Sequence, residues 1–325
     1  MILYKTPFRI PLAGGGTDID FYYKKRGGFL ISATISEYVY TYIAPRPFDT
    51  RSLIQTTDTQ FVNNNYEIEN EIVRETLKYF KIKDKLHIGN FSSLPTGAGL
   101  GSSSSVIVGL IKIISKFKKI RFTNNQIIKL AYTIEREILG LDGGWQDQIM
   151  ATLGGFRKIS INKSGKIKSE KINISNKTLN EFQNTLLLVY TKDTRDSSKI
   201  VKSQRINTTQ TLKKYDLIKN LANSFEFLIK RKKFISIGKL FHEHWQIKRK
   251  ISSMITSNHL DNIYLKLMKH RSFNGGKIIG AGGGGFFLLY VPHEKQKKFI
   301  QYFNKFVHIP FNFENLGSKI IFNQQ

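Results

Sequence analysis

The chain has 325 residues, 40% of them apolar and 12% aromatic, which excludes a wholly disordered protein and is enough for two domains with cores of their own. It contains no cysteine, which excludes disulfides and thiolate metal sites, and its apolar runs, such as VIVGLI and FFLLYV, are too short to span a bilayer. The formal charge of +27 comes from 51 Lys and Arg against 24 Asp and Glu, scattered along the chain with only short clusters such as KKR (24–26) and KRKK (230–233).

Isoleucine, lysine and asparagine are abundant throughout, so compositional bias accounts for most of that charge. The remainder suits attraction of an anionic substrate. A basic nucleic-acid-binding protein is the non-enzymatic alternative, and it would show salt-sensitive binding to DNA or RNA. No charged, apolar, small-residue leader is recognisable. The expectation is therefore a cytoplasmic protein with a small-molecule partner, no nucleic acid and no membrane, and with a homodimer left open.

Residues 1–60 mix glycine turns with two strand-like runs, FLISATI (29–35) and YVYTYIAP (38–45). A helical pattern over 62–80 precedes a strand at KLHIGNFSSLP. The stretch PTGAGLGSSSS (95–105) then abandons large side chains and runs into SSSVIVGLIKIISKF, whose apolar positions 106, 107, 110, 111, 113, 114 and 117 repeat with helical period. The serines are natural N-caps there. A second helix is expected over 124–139, opened by a Thr123/Gln126 capping box, and a strand over 154–161. "TLLLVYT" (185–191) reads as a buried strand opening a second domain, which places the halves at 1–175 and 176–325. Helical patterns fill 197–272; a glycine run, the strand FFLLYV, a helix over 293–306 and a closing strand complete an α+β chain.

A glycine loop feeding a helix N-terminus is a backbone cradle for an anion, because the first-turn N–H groups lack intrahelical partners and the dipole favours negative charge. It is not a Walker A loop, since Ser102 rather than Lys follows Gly101. Nor is it a dinucleotide fingerprint, because no acidic residue stands roughly 20 positions downstream. Protein-kinase signatures are missing as well.

Acidic groups follow the loop. At about 100° per residue Glu135 falls inside the apolar stripe of the second helix, among Ala131, Ile134 and Ile138, while Arg136 points away. A carboxylate on a buried face needs a cation, either a side chain or Mg²⁺. In "DGGWQDQIMATLGG" (142–155), Asp142 reads as turn chemistry. Asp147 is either an N-cap or a group that takes the proton of an attacking hydroxyl. A third glycine run, KIIGAGGGGFFLLY (277–290), suggests backbone lying against a ligand or another backbone.

Taken together, RIPLAGGGTD (9–18), PTGAGLGSSSS and KIIGAGGGGF (277–286) resemble, in order, the three motifs of the GHMP kinases, the small-molecule kinases that include galactokinase, homoserine kinase and mevalonate kinase. The resemblance covers essentially the full chain. It implies an N-terminal ribosomal-protein-like β-α domain, a C-terminal ferredoxin-like domain, and ATP and Mg²⁺ as cofactors. It further implies a triphosphate loop of Pro95, Gly97, Ala98, Gly99, Gly101, Ser102, Ser103 and Ser104, with Ser103 and Glu135 on the metal and Asp147 as the catalytic group. Arg9, Thr17 and Asp18 would hold the acceptor, with Gly282, Gly283 and Gly284 closing over the phosphates and acceptor. Gly15 and Gly16 stand where galactokinase has Glu-His, which argues against galactose. LAGGGTDI, ATISEYV and TRDSSKI resemble most the bacterial D-glycero-D-manno-heptose 7-phosphate kinases, whereas GGWQDQ is equally similar to L-fucose kinases. For a phosphorylated acceptor, Arg195 is the expected cationic partner, with Lys199 one turn further on.

Overall fold

The computed structural model describes residues 1–95, 97–193, 196–205 and 208–324. The first half runs β1 (Ile2–Ala13), α1 (Asp20–Arg26), β2 (Gly28–Pro45), β3 (Ser52–Gln55), β4 (Thr59–Val62), α2 (Glu71–Tyr79), β5 (Leu86–Ser92) and α3 (Ser102–Phe117). It continues through α4 (Asn124–Tyr132), a π-turn (Thr133–Ile138), α5 (Gln146–Leu153), β6 (Phe156–Ile161) and β7 (Ile167–Lys171). The second half has α6 (Asn176–Gln183), β8 (Leu186–Tyr190), α7 (Ser197–Gln204), α8 (Thr209–Lys230), α9 (Phe234–Lys248) and α10 (Asn258–Met268). It closes with β9 (Gly276–Ile278), β10 (Phe286–Tyr290), α11 (His293–Tyr302), β11 (Val307–Ile309), β12 (Phe313–Glu314) and β13 (Lys319–Asn323).

Two sheets organise these elements. The larger has the order β13-β1-β2-β5-β3-β4, with β6 and β12 also on β2 and β7 on β6; the smaller is β11-β8-β10-β9. The α+β expectation holds. The two runs at 29–35 and 38–45 form one strand: β1 pairs with β2 between Ile31 and Ile43, its register shifting between Pro7↔Tyr38 and Arg9↔Thr34. The irregularity leaves the Ser36 N–H to donate to Asn312 O at 2.8 Å. The last strands return to the first sheet, β13 pairing with β1 and β12 with β2.

Local chemistry explains most boundaries. Asn70 accepts from the Val73 N–H and starts α2 well inside the helical pattern expected from residue 62. The Thr123/Gln126 capping box is present at α4. At α3 the expectation of a serine cap fails: the N-cap is Gly101, at φ 81°, and no side chain caps the helix. The serines lie inside the first turn, where two of them serve Glu135 instead. A single apolar core joins both sheets, with Phe8, Ile10 and Leu12 of β1 sharing it with Phe225 of α8, Phe241 of α9 and Phe286 of β10. The site described next therefore sits on a shared, close-packed floor. Among the described residues no helix is long and apolar enough to cross a membrane.

Candidate active site

Two of the glycine runs meet backbone to backbone. A Cβ on Gly99 would lie 2.8 Å from Ile279 O, and one on Gly280 would lie 2.6 Å from the Gly99 Cα. The Arg9 N–H donates to Leu100 O at 3.1 Å, which ties β1 to the same loop. A cavity of about 370 Å³ opens here, lined from the first half of the chain by Gly97, Gly99, Gly101, Ser102, Ser103, Glu135 and Asp147 among others. The second half contributes Ser197, Ser198, Val201, Gln204, Lys248, Gly280 and Ala281.

Arg9 and Asp147 form a forked pair at its floor. Arg9 Nε donates to Asp147 Oδ1 at 2.6 Å and Nη2 to Oδ2 at 2.8 Å, while Nη1 donates to Gly99 O at 2.5 Å. Arg9 is 7% exposed. Such a bidentate pair fixes the plane of the carboxylate as well as its position. Asp147 is not an N-cap: α5 is capped at Trp145, and Asp147 lies in its first turn. The start of α5 is set by Asp18, whose Oδ2 accepts from the Gln146 N–H at 2.9 Å. A Cβ on Gly144 would strike that same carboxylate, which explains the glycine at this position. Burial pushes the Asp18 carboxyl above the usual range; the Gln146 N–H opposes this and the charge of Asp147 adds to it.

The second cluster is centred on Glu135, 1% exposed. Ser103 Oγ and Ser104 Oγ each donate to it at 2.5 Å, and Gln148 Nε2 donates at 2.6 Å. Ser103 and Glu135 thus lie side by side, and what the sequence missed is why Glu135 points inward. The helix over 124–139 is broken: α4 stops at Tyr132, and the chain widens into a π-turn, with the Leu139 N–H donating to Ile134 O. Such a turn departs from the 100° spacing and is frequent at functional sites. It corrects the orientation expected for Arg136, which turns inward: its side chain is 11% exposed, with Nη2 3.6 Å from Glu135 Oε2. Arg136 Nη1 donates to Leu141 O at 3.2 Å, fastening the loop before the paired glycines to the residue beside Glu135.

Other expected residues are set back from the cavity lining. Thr17 is buried, and its hydroxyl donates to Gly14 O at 2.8 Å and to Phe29 O at 2.9 Å, so it pins the turn that presents Gly15, Gly16 and Asp18. Pro95, Ala98 and Ser104 do not face the cavity, and in the third run Gly280 and Ala281 line it rather than Gly282, Gly283 or Gly284. The Gly283 N–H donates to Ile255 O at 2.5 Å, which anchors the loop from behind. Asp142 is more than a turn residue: its carboxylate accepts from Arg205 Nε at 2.6 Å, and Arg205 also holds Asp20. Arg195 lies outside the described residues. Lys199 is largely exposed and pairs loosely with Asp196 at 3.8 Å.

Several contributors escaped the sequence reading: Gln146 and Gln148 on either side of Asp147, Arg136, and Lys248. The QDQ tripeptide was a usable signal, since residues two apart on one helix turn reach separate partners. A lone lysine in so basic a chain was none.

Chemically, the site offers a helix start whose N–H groups carry no side-chain cap, a carboxylate–hydroxyl pair, and a carboxylate held by an arginine. That combination suits transfer of a phosphoryl group to a hydroxyl.

Comparison with known proteins agrees. The family profile of the GHMP kinases N terminal domain matches residues 68–155. The D-glycero-alpha-D-manno-heptose 7-phosphate kinase of Campylobacter jejuni is 32% identical over 317 residues, spanning 93% of this chain and 92% of that protein. Among solved structures, a putative sugar kinase from Campylobacter jejuni superposes with TM-score 0.78 at 29% identity, covering 98% of each chain. A D-glycero-D-manno-heptose 1-phosphate kinase from Bacteroides thetaiotaomicron superposes with TM-score 0.82 over the whole of both chains at 21% identity, a likeness of fold.

Proposed function

The chain belongs to the GHMP kinases, and from that premise we propose that it transfers the γ-phosphoryl group of ATP to the anomeric hydroxyl of D-glycero-D-manno-heptose 7-phosphate, giving the 1,7-bisphosphate. The observation that carries the transfer is the forked Arg9–Asp147 pair, set beside the Ser103–Glu135 pair at the uncapped start of α3. The likeness to the Campylobacter jejuni enzyme supports the choice of sugar.

The residues divide the work. The first-turn N–H groups of α3 and the loop backbone at Gly97, Gly99 and Gly101 hold the phosphates. Asp147, its oxygens fixed by Arg9, receives the hydroxyl proton. Gly15, Gly16 and Asp18 face the acceptor from the opposite turn. Ser103 and Glu135 form a donor set of one hydroxyl and one carboxylate. Among the described residues there is no cluster of three or more His, Cys, Asp or Glu able to cage an ion. That set fits Mg²⁺, which takes one or two carboxylates and leaves its other positions to water and phosphate oxygens. When bound, the ion would neutralise charge on the transferring phosphate.

Glu135→Gln preserves shape and Ser103→Ala removes only an oxygen. Each should raise the Mg²⁺ concentration needed for half-maximal rate by about tenfold or more. A rate-versus-magnesium titration checks this, and an unchanged requirement in both variants would place the ion elsewhere.

The acceptor is tested by ADP release across free sugars and sugar phosphates. Heptose 7-phosphate should give the highest kcat/KM of the panel, by about tenfold or more over unphosphorylated L-fucose. Comparable turnover of L-fucose would replace the substrate assignment.

A further inference from the structure

Helix α7 forms one wall of the cavity, and it is placed there by polar bonds more than by packing. Ser197, Ser198, Val201 and Gln204 line the cavity from it. Of its 8 residues, the buried ones are Ile200 and Gln204, and the second of these is polar. Burial of one isoleucine falls short of the backbone entropy lost in ordering the whole helix, so hydrogen bonds and ion pairs carry much of its hold.

Those bonds run in two directions. Toward the second half of the chain, Gln204 Nε2 donates to Ala281 O at 2.7 Å, and Gln204 Oε1 accepts from the Tyr215 hydroxyl at 3.1 Å. Toward the first half, Arg205, at the C-cap of α7, donates from Nη1 to Asp20 Oδ1 and from Nε to Asp142 Oδ1, each at 2.6 Å. The Asp142 N–H donates to Ser198 Oγ at 2.8 Å, so both ends of α7 grip Asp142. One guanidinium shared by two carboxylates is a charge-assisted network rather than a lone surface pair. Burial works against the Arg205 charge, yet Asp20 and then Asp142 outweigh it and hold the guanidinium above its ordinary range.

The two carboxylates belong to the segments that carry Asp18 and Asp147. Asp20 opens α1, just after the turn of Gly15, Gly16 and Asp18. Asp142 precedes the paired glycines, and Gly144 packs against the Asp18 carboxylate, which in turn accepts from the Gln146 N–H at 2.9 Å. Arg205 therefore ties α7 to both segments, although neither Arg205 nor Asp20 lines the cavity itself. Asp147 keeps its own fork from Arg9, so its place does not depend on this clamp.

Resting on the reading that the turn of Gly15, Gly16 and Asp18 faces the acceptor, we infer that Arg205 is a positioning residue for the acceptor sugar. By holding Asp20 and Asp142 together it fixes α7 as a wall of the acceptor pocket. ATP, held by the loop ahead of α3, does not depend on it.

The test is steady-state kinetics with D-glycero-D-manno-heptose 7-phosphate, together with the MgATP dissociation constant, in the wild type, R205M, R205K and D20A. R205M should raise KM for the sugar phosphate by about tenfold or more, while kcat falls by no more than about threefold and MgATP affinity stays within about twofold. R205K keeps the charge but not the fork that reaches two carboxylates at once, so its KM should lie between those of the wild type and R205M. D20A removes one carboxylate of the clamp and leaves every cavity-lining residue in place. It should raise the same KM by about threefold or more, and it decides the matter if R205M does not fold.

A KM within about twofold of the wild-type value in folded R205M, or in D20A where R205M does not fold, overturns the inference. So does a loss that falls on kcat or on MgATP affinity instead. A wild-type protein that does not turn over heptose 7-phosphate overturns the substrate reading first and this inference with it.

Discussion

Asp147→Asn should lower kcat by about 100-fold or more while MgATP binding changes little. Asparagine keeps an oxygen for Arg9 and nearly the same volume, so the Gln146–Asp18 anchor at the start of α5 should persist and the protein should remain folded. What is lost is the negative charge and the ability to take a proton. Turnover and nucleotide affinity must be measured together. A loss of both would mean that the substitution disturbs the phosphate loop through Arg9, which also donates to Gly99 O. Near wild-type turnover would remove Asp147 from the chemistry.

Gly99→Val should abolish measurable nucleotide binding, a loss of about 100-fold or more in affinity. Gly99 sits at φ 82°, and its Cβ would meet Ile279 O at 2.8 Å, so the side chain must either part the two glycine runs or distort the loop that lies against the phosphates. Gly101→Ala is the control. Its φ is 81°, but a Cβ there has its nearest neighbours in Arg9 and Asp147 at 3.4 Å, close to ordinary contact distance. That variant carries backbone strain of about 1–2 kcal/mol with little collision, and should weaken ATP far less. Calorimetric titration of MgATP into both, with melting temperatures alongside, separates the two effects. Retained ATP affinity in a folded Gly99→Val protein would contradict the phosphate cradle.

Much of this site was legible because its signals are local. A glycine loop before an apolar-periodic helix, a carboxylate within a buried stripe and a carboxylate after paired glycines all declare themselves within a few residues. Ser103, Glu135 and Asp147 could therefore be named and then found around one cavity. What could not be read depends on geometry that no short window contains. The π-turn at Thr133–Ile138 changes the angular spacing on which the outward orientation of Arg136 rested. The serines of α3 look like caps in sequence, yet they are drawn inward by a carboxylate some thirty positions away, at 2.5 Å. Arg9 was expected on the acceptor, but its first partner is Asp147, 138 residues on. Thr17 belongs to the same motif and spends its hydroxyl on the turn itself. Long-range strand pairing escaped for a similar reason: nothing in residues 313–323 marks them as partners of β1 and β2. Lys248, on the cavity wall, carried no signal at all against the background of a strongly basic chain.

The central claim is transfer of phosphate from ATP to the anomeric oxygen of an already phosphorylated heptose. It is tested most directly by phosphorus-31 NMR of the product formed from MgATP and D-glycero-D-manno-heptose 7-phosphate. The account predicts one new phosphomonoester resonance coupled to the anomeric proton, growing in step with ADP and about 100-fold or more slowly with the Asp147→Asn protein. ADP accompanied only by inorganic phosphate, or a new phosphate coupled to any other sugar proton, would contradict it.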